Sequence, residues 1–520
     1  MYYFKKIAMK TKILSLTAIA AVLLFTTSCN KSILNINNNP NNDTSSTPEL
    51  MLPATLVAAA SVPYSSSTLA GGANGATSGG TGACGMYDVG DWMGYMAGET
   101  GFAAIQQLAN YQLNATMFVA VWGNYYLNIA NLNQMRQYAE QSGEPFFTAV
   151  ADIMMAHDFS CLVDCYNDVP YSDALMKSGS LTPKYDKASD VYDSCIALID
   201  NAISTLQSSA VADEVSAGNF NGSVDIMYGG NTQQWIKFAN SLKLRLLLNQ
   251  SQVSSKAAFI QKEVAEIAGS GGLMGIGDDA LVSPPFQNTA GKTNPLYGAW
   301  YAMPGVSSDL MKMHSLNTYA LSVYQGNNDP RIQFFYDTLS GGQYVANGFG
   351  AATLVQGSPL GTTTASVTKI LNPTAPAPVL TASEALFDEA EAVYRGWLSG
   401  DAQTLYTEAI TSSFQYTAQP DGAVTAYLQQ PNVAWGAMPP LQQIITQKWE
   451  ALNFIDILCV YNDYRRTGYP NDIPLSAIAG GNHIPYRFVY PQFEYTTNSA
   501  NVNAEGTNID PQTDKIFWMP

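Results

Sequence analysis

Residues 186–206, DKASDVYDSCIALIDNAISTL, show most directly which fold this chain adopts. Their apolar positions are Val191, Cys195, Leu198, Ile199, Ala202 and Leu206. These positions share one face of an α-helix, because their offsets from Val191 are 4, 7, 8, 11 and 15 residues. Asp186 is the candidate N-cap. The stretch therefore predicts an amphipathic helix that packs its apolar face against a neighbour.

The same spacing recurs in two later stretches, 235–246 and 441–452. The apolar positions are Trp235, Phe238, Ala239, Leu242 and Leu246 in the first, and Leu441, Ile444, Ile445, Trp449 and Leu452 in the second. Further helices are expected near 119–140, 146–165, 383–398 and 402–415. Only 12% of the residues are charged, so these helices must pack on one another, as antiparallel pairs. Such pairs predict a mainly α fold of tetratricopeptide-like type, with a scaffold over about 49–265 and 381–460.

Two long stretches, about 270–380 and 460–520, are rich in Gly, Pro, Asn and Tyr. Irregular segments of that length inside a compact domain usually have a function. We expect them to form a loop-rich region, with a few short strands, laid over the helical scaffold. Residues 65–85, rich in Gly, Ser and Ala, predict a mobile surface loop.

The charge balance narrows the choice of partners. The 520 residues include 24 Lys and Arg against 41 Asp and Glu, which gives a net charge of −17. Nucleic acid and anionic lipid surfaces are bound by clustered Lys and Arg. Neither is therefore expected to bind this protein.

The first 29 residues have the pattern of an export signal. Lysines at positions 5, 6, 10 and 12 precede an apolar run over 13–25, which is followed by Thr26-Thr27-Ser28-Cys29. The run is shorter than the ~20 apolar residues of a membrane-spanning helix and fits a secretory signal. A signal that ends at a cysteine resembles a bacterial lipoprotein signal. We expect residues 1–28 to be removed, Cys29 to carry a lipid and the Asn-rich residues 29–48 to form a flexible tether. An ordinary signal with an incidental cysteine is the alternative.

The sequence contains few of the motifs that carry catalysis. It has no GxSxG and no HExxH, and His157, His314 and His483 are far apart along the chain. We therefore expect no enzyme, no metal site and no cofactor. A glycosidase remains possible at this stage, because it needs only two carboxylates at a suitable separation.

Two further groups of residues are expected to be structural. An odd number of cysteines without regular spacing, Cys84, Cys161, Cys165, Cys195 and Cys459, predicts buried thiols rather than a disulfide framework. Asp388, Glu389 and Glu391 are expected on a solvated face of their helix.

Aromatic residues in polar, Gly-rich stretches are the candidate binding residues. The candidates are Tyr87, Asp91, Trp92 and Tyr95 in residues 85–95, and Tyr297, Trp300 and Tyr301 after Asn294-Pro295. An exposed ring offers a flat apolar face to a sugar or a peptide side chain, and neighbouring polar groups supply hydrogen bonds. The alternative is that these rings anchor the loops to the scaffold.

Seven stretches in order along the chain resemble the SusD/RagB family of surface nutrient-binding lipoproteins of Bacteroidetes. They are 35–40 (NINNNP), 164–175 (DCYNDVPYSDAL) with 183–186, 235–245 (WIKFANSLKLR), 328–331 (NDPR), 381–385 (TASEA) with 390–392, 465–470 (RRTGYP) and 484–487 (IPYR). Within them, Lys237 and Lys243 are expected to face solvent. Arg331, Arg465 and Arg487 are expected to be structural.

The resemblance implies an α-helical protein that covers a SusC-like TonB-dependent transporter in the outer membrane and captures an oligosaccharide or a peptide for import. It implies a lipid-anchored position facing the outside of the cell. The sequence departs from the family at Asn30-Lys31-Ser32, which lacks the acidic residues that often follow the lipidated cysteine. Two other functions are kept open: a secreted hydrolase of glycans on an α scaffold, and a structural subunit of the transporter complex that binds no ligand.

Overall fold

The computed structural model describes residues 46–65, 84–101, 106–176, 179–216 and 222–520. The predicted signal segment, Cys29, the tether up to residue 45 and most of the predicted loop at 65–85 lie outside these residues. The first helices are α1 (Pro48–Ser61), α2 (Val89–Trp92), α3 (Gln106–Ala109), α4 (Val119–Ser142), α5 (Pro145–Tyr166), α6 (Ala188–Leu206), α7 (Ser209–Ser216), α8 (Thr232–Asn249) and α9 (Ala257–Gly269). They are followed by α10 (Pro295–Trp300), α11 (Asp309–Met313), α12 (Thr318–Gly326), α13 (Ile332–Phe335), α14 (Ala382–Tyr394), α15 (Ala402–Tyr416), α16 (Ala423–Tyr427), α17 (Pro440–Ala451), α18 (Ile457–Thr467), α19 (Gln492–Thr497) and α20 (Ser499–Glu505).

The long helices pack pairwise, as the periodicity predicts, and the mainly α, tetratricopeptide-like fold is confirmed. Helix α4 packs on α1 and α5, α5 packs on α6, and α6 packs on α8. A second group is formed by α14, α15 and α17, and α14 also contacts α8. Helices α4 and α5 run antiparallel because only Gly143 and Glu144 join them.

Helix α5 lies at the centre of the scaffold. It is long and apolar enough to cross a membrane, with a mean hydropathy of 1.4, but 94% of its most apolar window is buried inside the protein. Its neighbours α4 and α6 cover it. The helix is therefore a core element of the protein rather than evidence of a membrane span.

The start of α6 corrects one prediction. The helix begins at Ala188 and its N-cap is Lys187 rather than Asp186. The Asp186 carboxylate instead accepts hydrogen bonds from the backbone N–H groups of Tyr171 (2.9 Å) and Ser172 (2.8 Å). Asp186 thus fixes the loop that follows α5.

Several charged residues predicted to face solvent lie in the core. Asp388 and Glu391 are 2% and 0% exposed, whereas Glu389 between them is half-buried. Asp388 bonds the ammonium group of Lys448 at 2.6 Å, and Glu391 accepts from both terminal nitrogens of Arg466 at 2.6 Å. The prediction of a solvated face is wrong because α17 and α18 bring cations onto it.

Lys243 on α8 is a second correction of the same kind. It is 1% exposed, and its ammonium group lies 2.6 Å from Asp200 and 3.3 Å from Glu263. Lys237 is partly exposed, as predicted, and pairs with Asp278 at 2.8 Å.

The three arginines Arg331, Arg465 and Arg487 bond groups within the fold and the cysteines are buried, as predicted. Arg331 is fully buried and bonds the Asp329 carboxylate through Nε and Nη2. Arg465 donates to the carbonyls of Asp164 and Tyr486. The five cysteines of the described residues, Cys84, Cys161, Cys165, Cys195 and Cys459, are buried and free.

Short strands join the loop-rich stretches. Within the described residues they form three antiparallel pairs: β1 (Met96–Gly98) with β5 (His314–Leu316), β2 (Ala280–Val282) with β6 (Ala377–Leu380), and β3 (Tyr301–Met303) with β4 (Val306–Ser307). Gly98 lies opposite His314, and Tyr301 lies opposite Ser307. These pairings bring the 85–101 segment together with the loops of 295–360.

Candidate functional site

A cleft lies beside the β3–β4 hairpin, and we call it the hairpin cleft. Its volume is about 650 Å³, within the range of roughly 300–1,000 Å³ that is usual for small-molecule sites. The lining residues are Glu99, Thr100, Tyr301, Gly305, Ser307, Met311, Lys312, His314, Leu339, Gln356, Gly357 and Pro359. Met303 and Val306 on the hairpin and Val355 beside Gln356 are exposed apolar residues, at 53%, 49% and 51%.

The hairpin is held by hydrogen bonds from two side chains. Asn294 caps α10, since its side-chain oxygen accepts from the N–H groups of Leu296 and Tyr297. The Asn294 amide also donates to the carbonyl of Ala375 at 3.0 Å. At the other end, the Ser308 hydroxyl donates to the carbonyls of Ala299 and Trp300. Gly305 has φ 78° in the turn, a conformation that favours glycine.

Tyr301 presents a partly exposed ring to the cleft. Its ring stacks on that of Tyr297, with centroids 4.5 Å apart and an interplanar angle of 11°. Its hydroxyl bonds the Thr362 hydroxyl at 2.9 Å, and burial raises its pKa above the ordinary value. The phenol is therefore neutral, and the ring is fixed in orientation before any ligand binds.

Polar groups surround this ring. Glu99 directly follows β1. Its carboxylate accepts hydrogen bonds from the N–H groups of Gly357 at 2.8 Å and Thr100 at 2.9 Å. Gln356 and Lys312 are exposed on the lining. A flat ring among carboxylate, amide, hydroxyl and ammonium groups suits a polar ligand that also has apolar faces.

Most of the predicted aromatic candidates are not exposed, and that part of the prediction is wrong. Tyr87, Trp92, Tyr95, Tyr297 and Trp300 are between 0% and 5% exposed. Asp91 is 6% exposed. Tyr301 is the one candidate that contributes partly exposed surface to the hairpin cleft.

These rings are buried because distant parts of the chain cover them. Trp92 contacts the rings of Tyr461 and Phe488, and Tyr95 stacks on Trp449 with centroids 4.6 Å apart. The glycines of residues 85–95 allow the backbone to pack closely against neighbouring side chains, instead of forming an exposed loop. A Cβ atom at Gly90 would lie 3.2 Å from the Phe454 ring.

An acidic pair lies beneath the hairpin cleft. Asp88 and Asp91 are 1% and 6% exposed, and His314, whose ring lines the cleft, is 7% exposed. His314 Nε2 lies 3.5 Å from Asp88 Oδ1 and 3.9 Å from Asp91 Oδ2. Burial first, and then the charge of Asp88, raises the pKa of Asp91 to about 7, against the opposing effect of His314. Sequence alone predicts no such group, because His314 is remote from the two aspartates along the chain.

A second cavity, of about 530 Å³, is lined mainly by apolar side chains and backbone. We call it the Tyr416 cavity. Its rings belong to Tyr64, Phe334, Tyr416 and Phe454, and its side-chain amides belong to Asn294, Asn372 and Gln415. Asn294 thus contacts this cavity and also positions the hairpin.

Comparison with known proteins identifies the family to which this fold belongs. A family described as "SusD-like_2: Starch-binding associating with outer membrane" matches residues 83–491. The chain is a member of the SusD-like family. No curated protein sequence matches it.

Solved structures of this SusD-like protein's relatives cover almost the whole fold. A SusD homologue from Bacteroides fragilis is 24% identical, with a TM-score of 0.69 over 91% of this chain and 99% of that one. A chitin-binding SusD homologue from Flavobacterium johnsoniae is 26% identical, with a TM-score of 0.68 over 82% and 92%. A SusD-like protein from Bacteroides thetaiotaomicron is 23% identical, with a TM-score of 0.69 over 90% and 98%.

Sequence reasoning missed most of the polar lining of the cleft in this SusD-like protein. Glu99 and Gln356 belong to no recognisable motif, and only the strand pair β1–β5 brings the segment before Glu99 to the cleft. Tyr297 in α10 and Tyr301 at the start of the hairpin were accessible to sequence reasoning because they follow an Asn-Pro helix start.

Proposed function

We propose that this protein is a lipid-anchored outer-membrane protein that binds an oligosaccharide in the hairpin cleft and delivers it to a TonB-dependent transporter. The observation that carries the proposal is the Tyr301 ring, partly exposed, supported from behind by Tyr297 and surrounded by polar side chains. A sugar ring has apolar C–H faces and a rim of hydroxyls, and this combination of groups matches both.

Binding is favoured over hydrolysis by the acidic residues at hand. Glycosidases place two carboxyl groups on either side of the bond they cleave. Among the described residues that line the hairpin cleft, Glu99 is the only carboxylate, and it already accepts two backbone hydrogen bonds. Asp88 and Asp91 are buried below the cleft. We therefore infer that the protein holds its ligand without cleaving it.

The family description and one relative point to glycans as ligands to test first. The family is described as starch-binding, and the relative that is 26% identical is described as chitin-binding. Calorimetric titration with malto-oligosaccharides, chito-oligosaccharides and short peptides tests the proposal. Binding of a peptide alone would favour the peptide alternative, and binding of nothing on the panel would favour a structural subunit.

Variants then locate the site. Tyr301→Ala is expected to weaken glycan binding at least about tenfold, since a central aromatic anchor is worth roughly 1.4 kcal/mol or more. Tyr394→Ala is the matched control, because Tyr394 is 47% exposed on the scaffold and lines neither cavity. Tyr416→Ala tests the second cavity. Unchanged affinity in Tyr301→Ala together with a loss in Tyr416→Ala would place the ligand in the Tyr416 cavity instead.

The anchor and the partner need separate tests. The predicted lipid site is Cys29, so replacement Cys29→Ala is expected to abolish incorporation of labelled fatty acid and to release the protein from the outer membrane. Copurification of the lipidated protein with a TonB-dependent transporter is expected. Labelling that persists in Cys29→Ala would contradict the anchor, and failure to copurify would contradict the partner without affecting the glycan site.

A further inference from the structure

Asp88 and Asp91 form an unusual pair among the buried acids of this protein. Both are more than nine-tenths buried, and within the described ranges no lysine or arginine lies within 4 Å of their carboxylates; the one basic side chain there is the imidazole of His314. The apolar rings of Tyr87 and Trp300 pack against His314 with centroids 6.3 and 6.1 Å away. Two like charges in such surroundings repel each other and are poorly solvated.

Unsatisfied polar atoms mark the same place. Asp88 Oδ1 and Asp91 Oδ1 are buried and have no hydrogen-bond partner within the described part of the chain. The indole N–H of Trp300, in the ring that packs on His314, also lacks a partner there. Buried polar atoms in native proteins are nearly always bonded to protein, water or an ion. The two orphaned carboxylate oxygens, Asp88 Oδ1 and Asp91 Oδ1, therefore call for a positive group supplied from outside, whereas the Trp300 N–H needs an acceptor.

We propose that Asp88, Asp91 and His314 bind a divalent transition-metal ion, with Zn²⁺ as the best fit. One donor atom from each of the three residues lies within 4.8 Å of the other two. A cation would neutralise the two carboxylates and satisfy their free oxygens at once. This inference does not depend on the identity of the glycan or on the proposed function.

The geometry suits zinc after a small adjustment. Zn–N and Zn–O bonds of about 2.0–2.2 Å in a tetrahedral site place neighbouring donor atoms roughly 3.4 Å apart. The observed separations from His314 Nε2 are 3.5 Å to Asp88 and 3.9 Å to Asp91. The 3.9 Å distance is to Asp91 Oδ2, so zinc binding would require the Asp91 carboxylate to turn and bring one oxygen closer to the imidazole. Three protein ligands leave one position for water or another small ligand.

The donor set also argues against the common hard cations. Ca²⁺ is usually held by six or more oxygen atoms, and Mg²⁺ keeps most of its water, whereas imidazole is a preferred ligand of zinc, nickel and copper. A second acidic group, Asp200, Glu263 and Glu266, contains no imidazole and is already neutralised by Lys243 and Lys262. It therefore serves as an internal control rather than as a site.

Metal content tests the inference directly. The full chain without a histidine tag is incubated with Zn²⁺, desalted and analysed by inductively coupled plasma mass spectrometry. We expect one zinc per wild-type chain. Single variants Asp91→Asn and His314→Asn are expected to weaken zinc binding by roughly tenfold or more, since even ligand-supporting residues contribute that much. Glu266→Gln and His483→Asn should retain wild-type affinity.

X-ray absorption at the zinc edge tests the site in the wild-type protein alone, so it remains informative if a variant does not fold. The wild-type protein alone is expected to show nitrogen and oxygen scatterers with the outer-shell signature of one imidazole. Sulfur scatterers, or several imidazoles, would overturn the assignment. Equal zinc retention in the wild type and Asp91→Asn, or no zinc retention by the folded wild type, would overturn it as well.

Discussion

Buried carboxylates occur in two regions of this protein and have different partners in each. One region is the helical scaffold; the other is the set of segments around the hairpin cleft, residues 85–101 and 295–360, which we call the loop layer. In the scaffold, Glu391 is bonded by Arg466, and Asp388 is bonded by Lys448. Under the cleft, Asp88 and Asp91 face each other with one imidazole 3.5 and 3.9 Å away. All four carboxylates are buried, so the two regions differ in the partners of the acids and not in the amount of burial.

The two regions therefore differ in whether the charge of a buried carboxylate is neutralised by another residue of the chain. A buried acid bonded by an arginine or lysine is neutralised within the fold, and the geometry of the pair fixes neighbouring helices. An acid pair without such a partner remains costly until a proton or a metal ion neutralises it. The scaffold therefore neutralises these acids by itself, and the loop layer is where the proposed metal ion and glycan would bind.

The largest expected effect is the loss of a scaffold cation. Arg466→Met leaves Glu391 and Asp463 buried with fewer cations, and removal of one partner of a buried pair typically costs about 3–5 kcal/mol. Urea denaturation measures this loss in the free energy of unfolding. The control is Lys187→Met, because the side chain of Lys187 is 68% exposed in its pair with Asp168, and exposed pairs contribute about 1 kcal/mol or less. Equal losses in the two variants would contradict the contrast.

The contribution of the Glu391–Arg466 ion pair should also appear in the pH dependence of the wild-type protein's stability. The two arginines Arg466 and Arg395 lower the pKa of Glu391 from 4.5 to about 2, against the opposing effect of burial. A lowered pKa means that the stabilisation is fully present above pH 4.5 and is lost as the pH falls towards 2. The shift corresponds to about 3 kcal/mol. Unfolding free energies measured from pH 6 to pH 2 should fall by less in Glu391→Gln than in the wild type.

The helices of the scaffold were predictable because burial of apolar side chains imposes a period on the sequence. That period identified α6 through Val191, Cys195 and Ile199. It could not identify buried charges such as Lys243 and Asp388, because a pattern of apolar positions treats every charged residue as exposed. Their partners come from other helices, and only the tertiary structure brings them together.

The site was less predictable for a related reason. A Gly-rich stretch with Tyr and Trp has the composition of an exposed loop, yet Trp92 is covered by Tyr461 and Phe488 from the other end of the chain. Tyr301 is the one predicted candidate that lines the hairpin cleft, and its role in binding remains a prediction, whereas the Asp88–His314 contact joins segments with no common motif. Contacts between distant segments decide exposure, and one sequence does not contain that information.

Removal of one helix N-cap in each region is expected to have an effect of intermediate size. Asn294 caps α10 in the loop layer and Asn231 caps α8 in the scaffold, each accepting two backbone N–H bonds. Replacement of either by alanine is expected to cost about 1–2 kcal/mol in the free energy of unfolding. Only Asn294→Ala should also weaken glycan binding, because it releases the helix that carries Tyr297 and leads into Tyr301. Equal glycan affinities in the two variants would show that the hairpin is positioned independently of its cap.

The smallest expected effect is a gain in stability, opposite in sign to the losses above, and it distinguishes the two regions most clearly. Asp91→Asn removes one of two repelling charges, so the protein kept free of metal by a chelator should become more stable by roughly 1 kcal/mol at neutral pH. The corresponding amide replacement in the scaffold, Glu391→Gln, should lower the free energy of unfolding, because it leaves Arg466 buried beside a neutral group. Thermal unfolding of both variants in the presence of chelator tests this pair of signs. A loss of stability in metal-free Asp91→Asn would mean that the acid pair is satisfied within the fold, and that the loop layer needs no cation from outside.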